Sequence, residues 1–336
     1  MYAIRLHAFG PAENLTYEKT DDPVPGPGEV RIAVAAAGVH LLDTALRAGQ
    51  TTATHAAPEL PTIPGREVAG TVEALGEGTD PAWLGKRVVA HLGMVPGGYA
   101  ELAVVAAGKL HEVPANLDEA QAVAMIGTGR TTMGILQFAE LTADDVAIVT
   151  SAAGGIGQLL VQYAGHAGAT VVALAGGPEK VARVRELGAD IAVDYTDPGW
   201  PGQVRAALGG RAATVLFDGV GGEPGRAGVD LLGPGGRHLV FGWSSGGLLT
   251  GGGGPLEFGE EELTARGITS QVVLGPPMLA KAGGPDPIRT LEERSMAEAA
   301  AGRLVPGVHR FPLAEAAAAH RALETRATTG KVVLVP

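Results

Sequence analysis

A run of small residues lies between a buried strand and an amphipathic helix, and it constrains this chain more than any other feature. Val146 to Thr150 is a short apolar segment, and Ser151-Ala152-Ala153-Gly154-Gly155-Ile156-Gly157 follows it. Ile156, Leu159, Leu160 and Tyr163 then recur at helical spacing. Small residues at such a junction allow a tight turn, a close approach of backbone to a ligand, and close packing of helix on strand. The helix N-terminus that opens there offers unpaired N–H groups and a partial positive charge, which together seat phosphate oxygens. The chain holds 52 glycines, so a glycine pattern alone carries little weight. The strand before it and the helix after it make this one specific for a dinucleotide pyrophosphate. Ala152 stands where the first glycine of that fingerprint is usual, one departure from the pattern.

The alternation of strand and helix continues. Thr170–Leu174, Ile191–Asp194, Thr214–Asp218, Arg237–Gly242 and Thr269–Leu274 read as further apolar strands, six in all with the first. Pro178–Leu187 reads as a helix with proline in its first turn and Gly188 just past its end. Continuous apolar strands separated by helices predict a parallel sheet covered on both faces. The first third has another texture. Val30, Ile32 and Val34 alternate with Arg31 and Ala33, and Val68, Gly70, Val72 and Ala74 form a similar set, which predicts half-buried antiparallel strands. Asn116 followed by Glu119 marks an expected helix start, and the C-terminal part ends in an Ala-rich helix, Leu313–Glu324, and a strand, Lys331–Val335. Gly246–Pro255 reads as a flexible loop, or alternatively as a flap over a bound cofactor.

Bulk properties exclude several classes. A net charge of -11 disfavours nucleic acid and anionic membranes as partners. The absence of cysteine excludes disulfides and thiolate metal sites. The opening residues, MYAIRLHAFG, lack the apolar stretch of a signal peptide, and no run of about 18 apolar residues is present. The expectation is a cytoplasmic protein.

The end of the second strand selects the dinucleotide. An Asp or Glu there would accept hydrogen bonds from the ribose hydroxyls of NAD. Here the sequence is Leu174-Ala175-Gly176-Gly177-Pro178, with Lys180 and Arg183 close behind and Tyr195 at the end of the third strand. A cation binds a 2′-phosphate that a carboxylate would repel. Glu179 falls in the first helical turn, where acids are favoured anyway. The expected cofactor is NADPH, against a plain reading of Lys180 as a solvated helix face.

Six segments carry a resemblance: Gly38–Gly49 (GVHLLDTALRAG), Pro64–Gly76 (PGREVAGTVEALG), Gly97–Val104 (GGYAELAV), Ser151–Gly157 (SAAGGIG), Asp218–Gly222 (DGVGG) and Gly330–Pro336 (GKVVLVP). On these the chain resembles the medium-chain dehydrogenase/reductase superfamily, specifically its zinc-free, zeta-crystallin-like quinone oxidoreductase branch. The resemblance implies an α/β fold: a six-stranded doubly wound parallel sheet (Rossmann) inserted into a chaperonin-like (GroES-like), mainly β domain. The expected boundaries are 1–120 with 288–336 for the β domain and 121–287 for the dinucleotide-binding domain. His40, Arg66 and Thr128 stand where zinc alcohol dehydrogenases hold their catalytic metal. Three protein ligands are required and only His40 qualifies, so no metal is expected.

The resemblance also assigns candidate residues. Ala153, Gly154, Gly155 and Ile156 would face the pyrophosphate, and Gly176, Lys180 and Tyr195 the adenosine phosphate. Phe241, Gly242, Trp243 and Ser244, with Thr131, Leu274 and Arg326, would contact the rest of the cofactor. Where the family has Asn in a G-x-N-x-x-D segment this chain has His40, followed by the matching Asp43. The family's tyrosine is missing from Gln50-Thr51-Thr52-Ala53. His40 is the candidate proton donor or polar anchor, set against a purely structural histidine. Trp243 is read either as stacking near the nicotinamide or as core filler, and Arg66 and Glu67 as members of ion pairs with each other or with Asp43. The implied activity is reduction of quinones or enones, small-molecule acceptors of hydride. The alternatives are an enoyl-thioester reductase and a non-catalytic NADPH-binding protein. Edge-to-edge pairing of the sixth strand implies a homodimer.

Overall fold

The alternation around Val34 belongs to a strand that runs from Glu29 to Val39 in the computed structural model, which describes residues 1–51, 56–246 and 254–336. Val30, Ile32 and Val34 point into an apolar core, while Arg31 turns outward and meets Glu73 at 2.7 Å. The residues group into two units, 1–128 with 306–336 and 129–305.

The first unit begins with the antiparallel pair β1 (Tyr2–Leu6) and β2 (Leu15–Lys19). Then come β3 (Glu29–Val39), α1 (Leu41–Arg47), β4 (Glu67–Leu75), β5 (Arg87–His91), β6 (Leu102–Ala106), β7 (His111–Glu112) and α2 (Glu119–Ala124). The helix α2 starts two residues after the expected Asn116. Asp118 is the cap: its carboxylate accepts the Gln121 N–H at 2.8 Å, and the Gln121 side chain accepts the Asp118 N–H at 3.1 Å. That reciprocal pair needs the acceptor three residues before a Glu or Gln, a spacing that Asp118 and Gln121 satisfy.

The second unit contains α3 (Arg130–Leu136), β8 (Val146–Val149), α4 (Gly155–His166), β9 (Thr170–Ala175), α5 (Pro178–Glu186), β10 (Ile191–Asp194), α6 (Trp200–Leu208), β11 (Ala213–Asp218), α7 (Gly222–Val229) and β12 (Leu232–Val240). It closes with α8 (Glu260–Arg266), β13 (Thr269–Val272), α9 (Pro276–Ala282) and α10 (Pro287–Ala300). Its six strands are parallel in the order β10-β9-β8-β11-β12-β13. The chain direction across the sheet reverses beside β8, and the strand ends there form the crevice where ligands of such sheets bind. Val146, Ile148, Val172, Leu174, Trp200 and Val204 help fill the core on one face.

The chain then returns to the first unit with β14 (Val308–Pro312), α11 (Ala316–Glu324) and β15 (Lys331–Val335). The main sheet of that unit runs β14-β15-β3-β4-β5-β7, with β6 also paired to β3. This is the mainly β domain into which the parallel sheet is inserted. The unit boundaries differ from the expected 120/121 and 287/288. Helix α2 packs on β3, β4 and β15, so it stays with the first unit; α10 packs on α3 and α9 and stays with the second. The loop expected over Gly246–Pro255 and the Gln50–Ala53 stretch fall partly outside the described residues.

Candidate active site

In the second unit, the turn after β8 is closed by Gly154 N–H donating to the Ser151 carbonyl at 2.9 Å, with Ser151 in a left-handed conformation at φ 48°. Ala152 and Ala153 are buried, and the Ala152 N–H donates to Leu174 at 2.9 Å, tying the turn to the end of β9. A Cβ on Gly157 would collide with the Ser151 carbonyl and the Ala152 backbone, so only glycine lets α4 approach β8 this closely. Gly154 occupies the cap position of α4 and no side chain caps the helix. Its first-turn N–H groups, around Gly155 and Ile156, therefore stay open to an anion.

At the end of β9, the Tyr195 ring lies against Gly176. Lys180, half-buried, is in the first turn of α5, and Arg183 is committed to Glu186 at 3.0 Å. A carboxylate that the sequence did not flag is close by. Asp194 ends β10 and accepts hydrogen bonds from Gly177 N–H (3.0 Å), Thr196 N–H (3.0 Å) and the Thr196 hydroxyl (2.7 Å). Those donors, the Gly177 N–H foremost, hold its carboxyl below the usual range. All three bonds go to one oxygen and fix the turn itself.

Asp218, at the end of β11, plays the same part for the next turn. It is buried, and its Oδ1 accepts the Val220 and Gly221 N–H groups at 2.9 Å each while His238 approaches Oδ2 at 3.2 Å. Burial alone would raise its pKa, but the His238 hydrogen bond and the two N–H donors bring it below the ordinary value. Phe241 N–H donates to the Asp218 carbonyl at 2.8 Å, and Ser244 Oγ donates to the Gly219 carbonyl at 3.3 Å. Trp243 packs on Gly221 and is half-buried, so it is not core filler alone. Leu274 lies just beyond β13, also half-buried. Ala153 to Ile156, Gly176, Lys180, Tyr195, Phe241 to Ser244 and Leu274 thus sit at or just beyond the C-terminal strand ends of one sheet. Thr131 is on α3, whose helix packs on α4.

His40, Asp43 and Arg326 belong to the first unit. Arg326 is exposed just past α11 in a left-handed conformation, φ 57°. His40 and Asp43 begin α1, where the Asp43 carboxylate accepts the His40 N–H at 2.7 Å. Strand register builds the rest of this cluster. Val332 pairs with Val39 and Ala37 with Val68, so Lys331 comes opposite His40 and Glu67 opposite Gly38. Glu67 is fully buried; its Oε1 lies 2.6 Å from His40 Nε2 and its Oε2 2.8 Å from Lys331 Nζ. Beyond these ion-pair contacts neither oxygen has a hydrogen-bond partner among the described residues. Gly38 and Gly127 make the room, since a Cβ on either would overlap the carboxylate.

Burial would raise the Glu67 pKa, but His40 and the Lys331 ammonium hold it well below the usual range. Burial lowers that of Lys331, against the attraction of Glu67. Lys331 Nζ also lies 2.7 Å from His40 Nε2. On the other side, the Tyr99 hydroxyl donates to Asp43 Oδ2 at 3.1 Å and meets His320 Nε2 at 3.2 Å, while Arg66 lies 3.6 Å from Asp43 Oδ1. Arg66 is thus paired with Asp43, as one of its expected readings has it, and Glu67 is paired with neither. Lys331, Tyr99 and His320 were not singled out from the sequence as members of this site.

The residues at the metal positions of the superfamily do not fit a zinc ion. His40 Nε2 is already engaged by Glu67 and faces an ammonium at 2.7 Å, and Arg66 adds a second cation. A dication has no complementary donor set there. Among the described residues no group of three or more His, Cys, Asp or Glu side chains is arranged to hold a metal.

The model of the family described as zinc-binding dehydrogenase matches residues 155–275, and that of the alcohol dehydrogenase GroES-like domain matches residues 26–115. A quinone oxidoreductase of Pseudomonas aeruginosa is 33% identical over 339 residues, covering 99% of each chain. A 2-haloacrylate reductase of a Burkholderia species is 32% identical over 337 residues, covering 98% of each. The Escherichia coli quinone oxidoreductase complexed with NADPH superposes with a TM-score of 0.83 at 26% identity, covering 100% of each chain. Likeness along the whole length, on both units, establishes that the chain belongs to the medium-chain dehydrogenase/reductase superfamily, in its quinone oxidoreductase branch, and is an oxidoreductase.

Proposed function

We propose that this protein reduces quinones or other α,β-unsaturated carbonyl compounds with NADPH, by hydride transfer and without zinc. The observation that carries the reading is an open phosphate turn beside a second strand that runs into Gly176 and Gly177 with no acid of its own, where the neighbouring Asp194 commits one carboxylate oxygen to its own turn. Ala153, Gly154, Gly155 and Ile156 lie against the pyrophosphate, the open N–H groups of Gly155 and Ile156 receiving it while Gly154, whose own N–H closes the turn, lets it come close. Gly176 leaves space for the adenosine ribose, Lys180 supplies the cation for its 2′-phosphate, and Tyr195 supplies a hydroxyl. Phe241, Gly242, Trp243, Ser244 and Leu274 line the nicotinamide half, with Thr131 and Arg326 at the ribose and phosphate. When bound, NADPH supplies the hydride for an electron-poor carbon. His40, 29% exposed and held by Glu67 and Lys331, anchors the acceptor oxygen or passes it a proton. The names of the two curated relatives, a quinone oxidoreductase and a 2-haloacrylate reductase, fit one chemistry, reduction of a conjugated electrophile. The NADPH complex of the Escherichia coli enzyme supports the cofactor.

The partner we propose is a second copy of the chain. β13 ends the order of the parallel sheet, with Val272 37% exposed on it, and an open strand edge of this kind pairs readily. The test of function is a fluorescence titration of metal-stripped protein with NADPH and NADH, followed by turnover on a panel of quinones and enones. Selective binding of NADPH and oxidation of it by the panel is the expected result. Preference for NADH would overturn the cofactor assignment, and NADPH binding without turnover would leave a non-catalytic binding protein. Selective turnover of acyl thioesters would favour the enoyl-thioester alternative.

A further inference from the structure

A cavity of about 500 Å³ opens within the first unit, of a size that takes a small molecule. Leu6, Leu46, Pro64 and Met94 give it apolar wall, and two guanidiniums, Arg47 and Arg66, line it as well. They are 4% and 8% exposed. The two are differently placed. Arg47 is held by two of its nitrogens, with Nη2 2.5 Å from Glu324 and Nε donating to the Gly10 carbonyl at 3.1 Å, and only its Nη1 is left without a partner among the described residues. Arg66 has, among the described residues, only the contact of 3.6 Å to Asp43, which is too long for a hydrogen bond, and its buried Nε has no partner.

Asp43 cannot move over to satisfy it. Its Oδ2 already accepts the His40 N–H at 2.7 Å and the Tyr99 hydroxyl at 3.1 Å. A buried guanidinium with unmade hydrogen bonds is costly, and a planar two-oxygen anion is the shape that matches its fork. The other acid on the cavity wall, Glu59, is exposed. Arg66 also stands where metal-dependent members of the superfamily have a metal ligand, so a fixed cation occupies the place of an electrophile.

We propose that Arg66 determines acceptor specificity, and that the acceptor is a small α,β-unsaturated carboxylic acid. Its carboxylate seats on the Arg66 guanidinium and its carbon chain lies against Leu6, Leu46, Pro64 and Met94. This deepens the reductase reading and rests on it for the chemical step. A free carboxylate feeds electron density into the double bond and makes it a poor hydride acceptor; pairing with a guanidinium withdraws that density. The hydride of NADPH forms a C–H bond at the β-carbon, a proton from water forms one at the α-carbon, and the products are the saturated acid and NADP+.

Two measurements on the full chain test this. Calorimetry with butanoate and with butanamide reads the carboxylate seat without turnover. Butanoate binding and no binding of the isosteric amide is expected; equal binding of both, or of neither, overturns the proposal. Steady-state kinetics with NADPH then compare crotonate with its neutral analogue 3-penten-2-one in wild type, Arg66→Met and Arg66→Lys. Loss of one member of a desolvated charge pair predicts a fall of about 100-fold in kcat/KM on crotonate for Arg66→Met, carried by KM. The ketone should lose at least about 10-fold less than crotonate does, and Arg66→Lys should recover part of the crotonate loss. An equal fall on both acceptors overturns the proposal. Selective butanoate binding with no oxidation of NADPH by either acceptor would instead remove the reductase reading and leave the seat standing.

Discussion

Lys331 Nζ lies 2.8 Å from Glu67 Oε2, and both residues are almost completely buried. Removing one member of such a pair strands the other's charge in a low-dielectric interior. Lys331→Met is expected to lower stability by about 3–5 kcal/mol, read from denaturant midpoints. The double variant Lys331→Met with Glu67→Leu should recover most of that. Equal destabilisation of single and double variants would mean that the pair holds the fold by packing and not by charge.

His320 predicts an acid-sensitive stability. Burial lowers its pKa from 6.5 to about 4, against the pull of Asp43. Between those values the unfolded chain binds a proton that the folded chain refuses, so stability rises with pH across this window. The contribution is constant above pH 6.5, declines as pH falls towards 4, and amounts to on the order of 3 kcal/mol. Denaturant midpoints of wild type and His320→Asn at pH 7.5 and 4.5 check this, and the variant should show the shallower slope.

Lys180 is expected to act on one cofactor only. Lys180→Ala should weaken NADPH binding by about 10- to 100-fold, as loss of a hydrogen bond to a charged group does, and leave NADH unchanged. Equal weakening of both would assign Lys180 to the helix surface.

Gly157 tests the turn. Gly157→Val places atoms into the Ser151 carbonyl and the Ala152 backbone, so α4 must move away from β8. The expected result is loss of dinucleotide binding together with about 1–3 kcal/mol of stability, the cost of overpacking. A variant that binds NADPH normally would show that the approach of helix to strand is not required.

Metal removal is expected to do nothing. Dialysis against a strong chelator should leave NADPH-dependent turnover unchanged, because Arg66 and Lys331 put two cations where a zinc ion would need donors. Restoration of activity by added zinc would overturn the metal-free reading.

The parts of the site that were legible in the sequence are those made by neighbours in the chain. Ser151 to Gly157 could be read because a tight turn, a close helix and an anion seat all demand small residues within one short segment. The six-stranded parallel sheet could be read because apolar strands alternating with helices leave few other ways to bury both faces. The Glu67 cluster could not. Lys331 and His40 are 291 positions apart and meet only through the pairing of β15 with β3, a register that no local pattern specifies. Asp194 and Asp218 were likewise hidden. Each looks like the last residue of a strand, and only the folded turn shows its carboxylate gathering backbone N–H groups. The unit boundaries differ for a related reason, since α2 is assigned by its packing on β3, β4 and β15 and α10 by its packing on α3 and α9, contacts that no local pattern records.

The pairing of β15 with β3 also sets an order of events during synthesis. A ribosome releases β3, β4 and Glu67 early, then the whole of the second unit, and only afterwards the strand that bears Lys331. Through that interval the Ala37–Val39 end of β3, beyond its pairing with β6, has no neighbour on that edge, and the Glu67 carboxylate has no ammonium beside it. The second unit, contiguous from 129 to 305, can complete its own core while the first waits. The nascent chain therefore carries an uncovered strand edge and an uncompensated acid until its last strand docks, and that interval is when it most needs protection from aggregation.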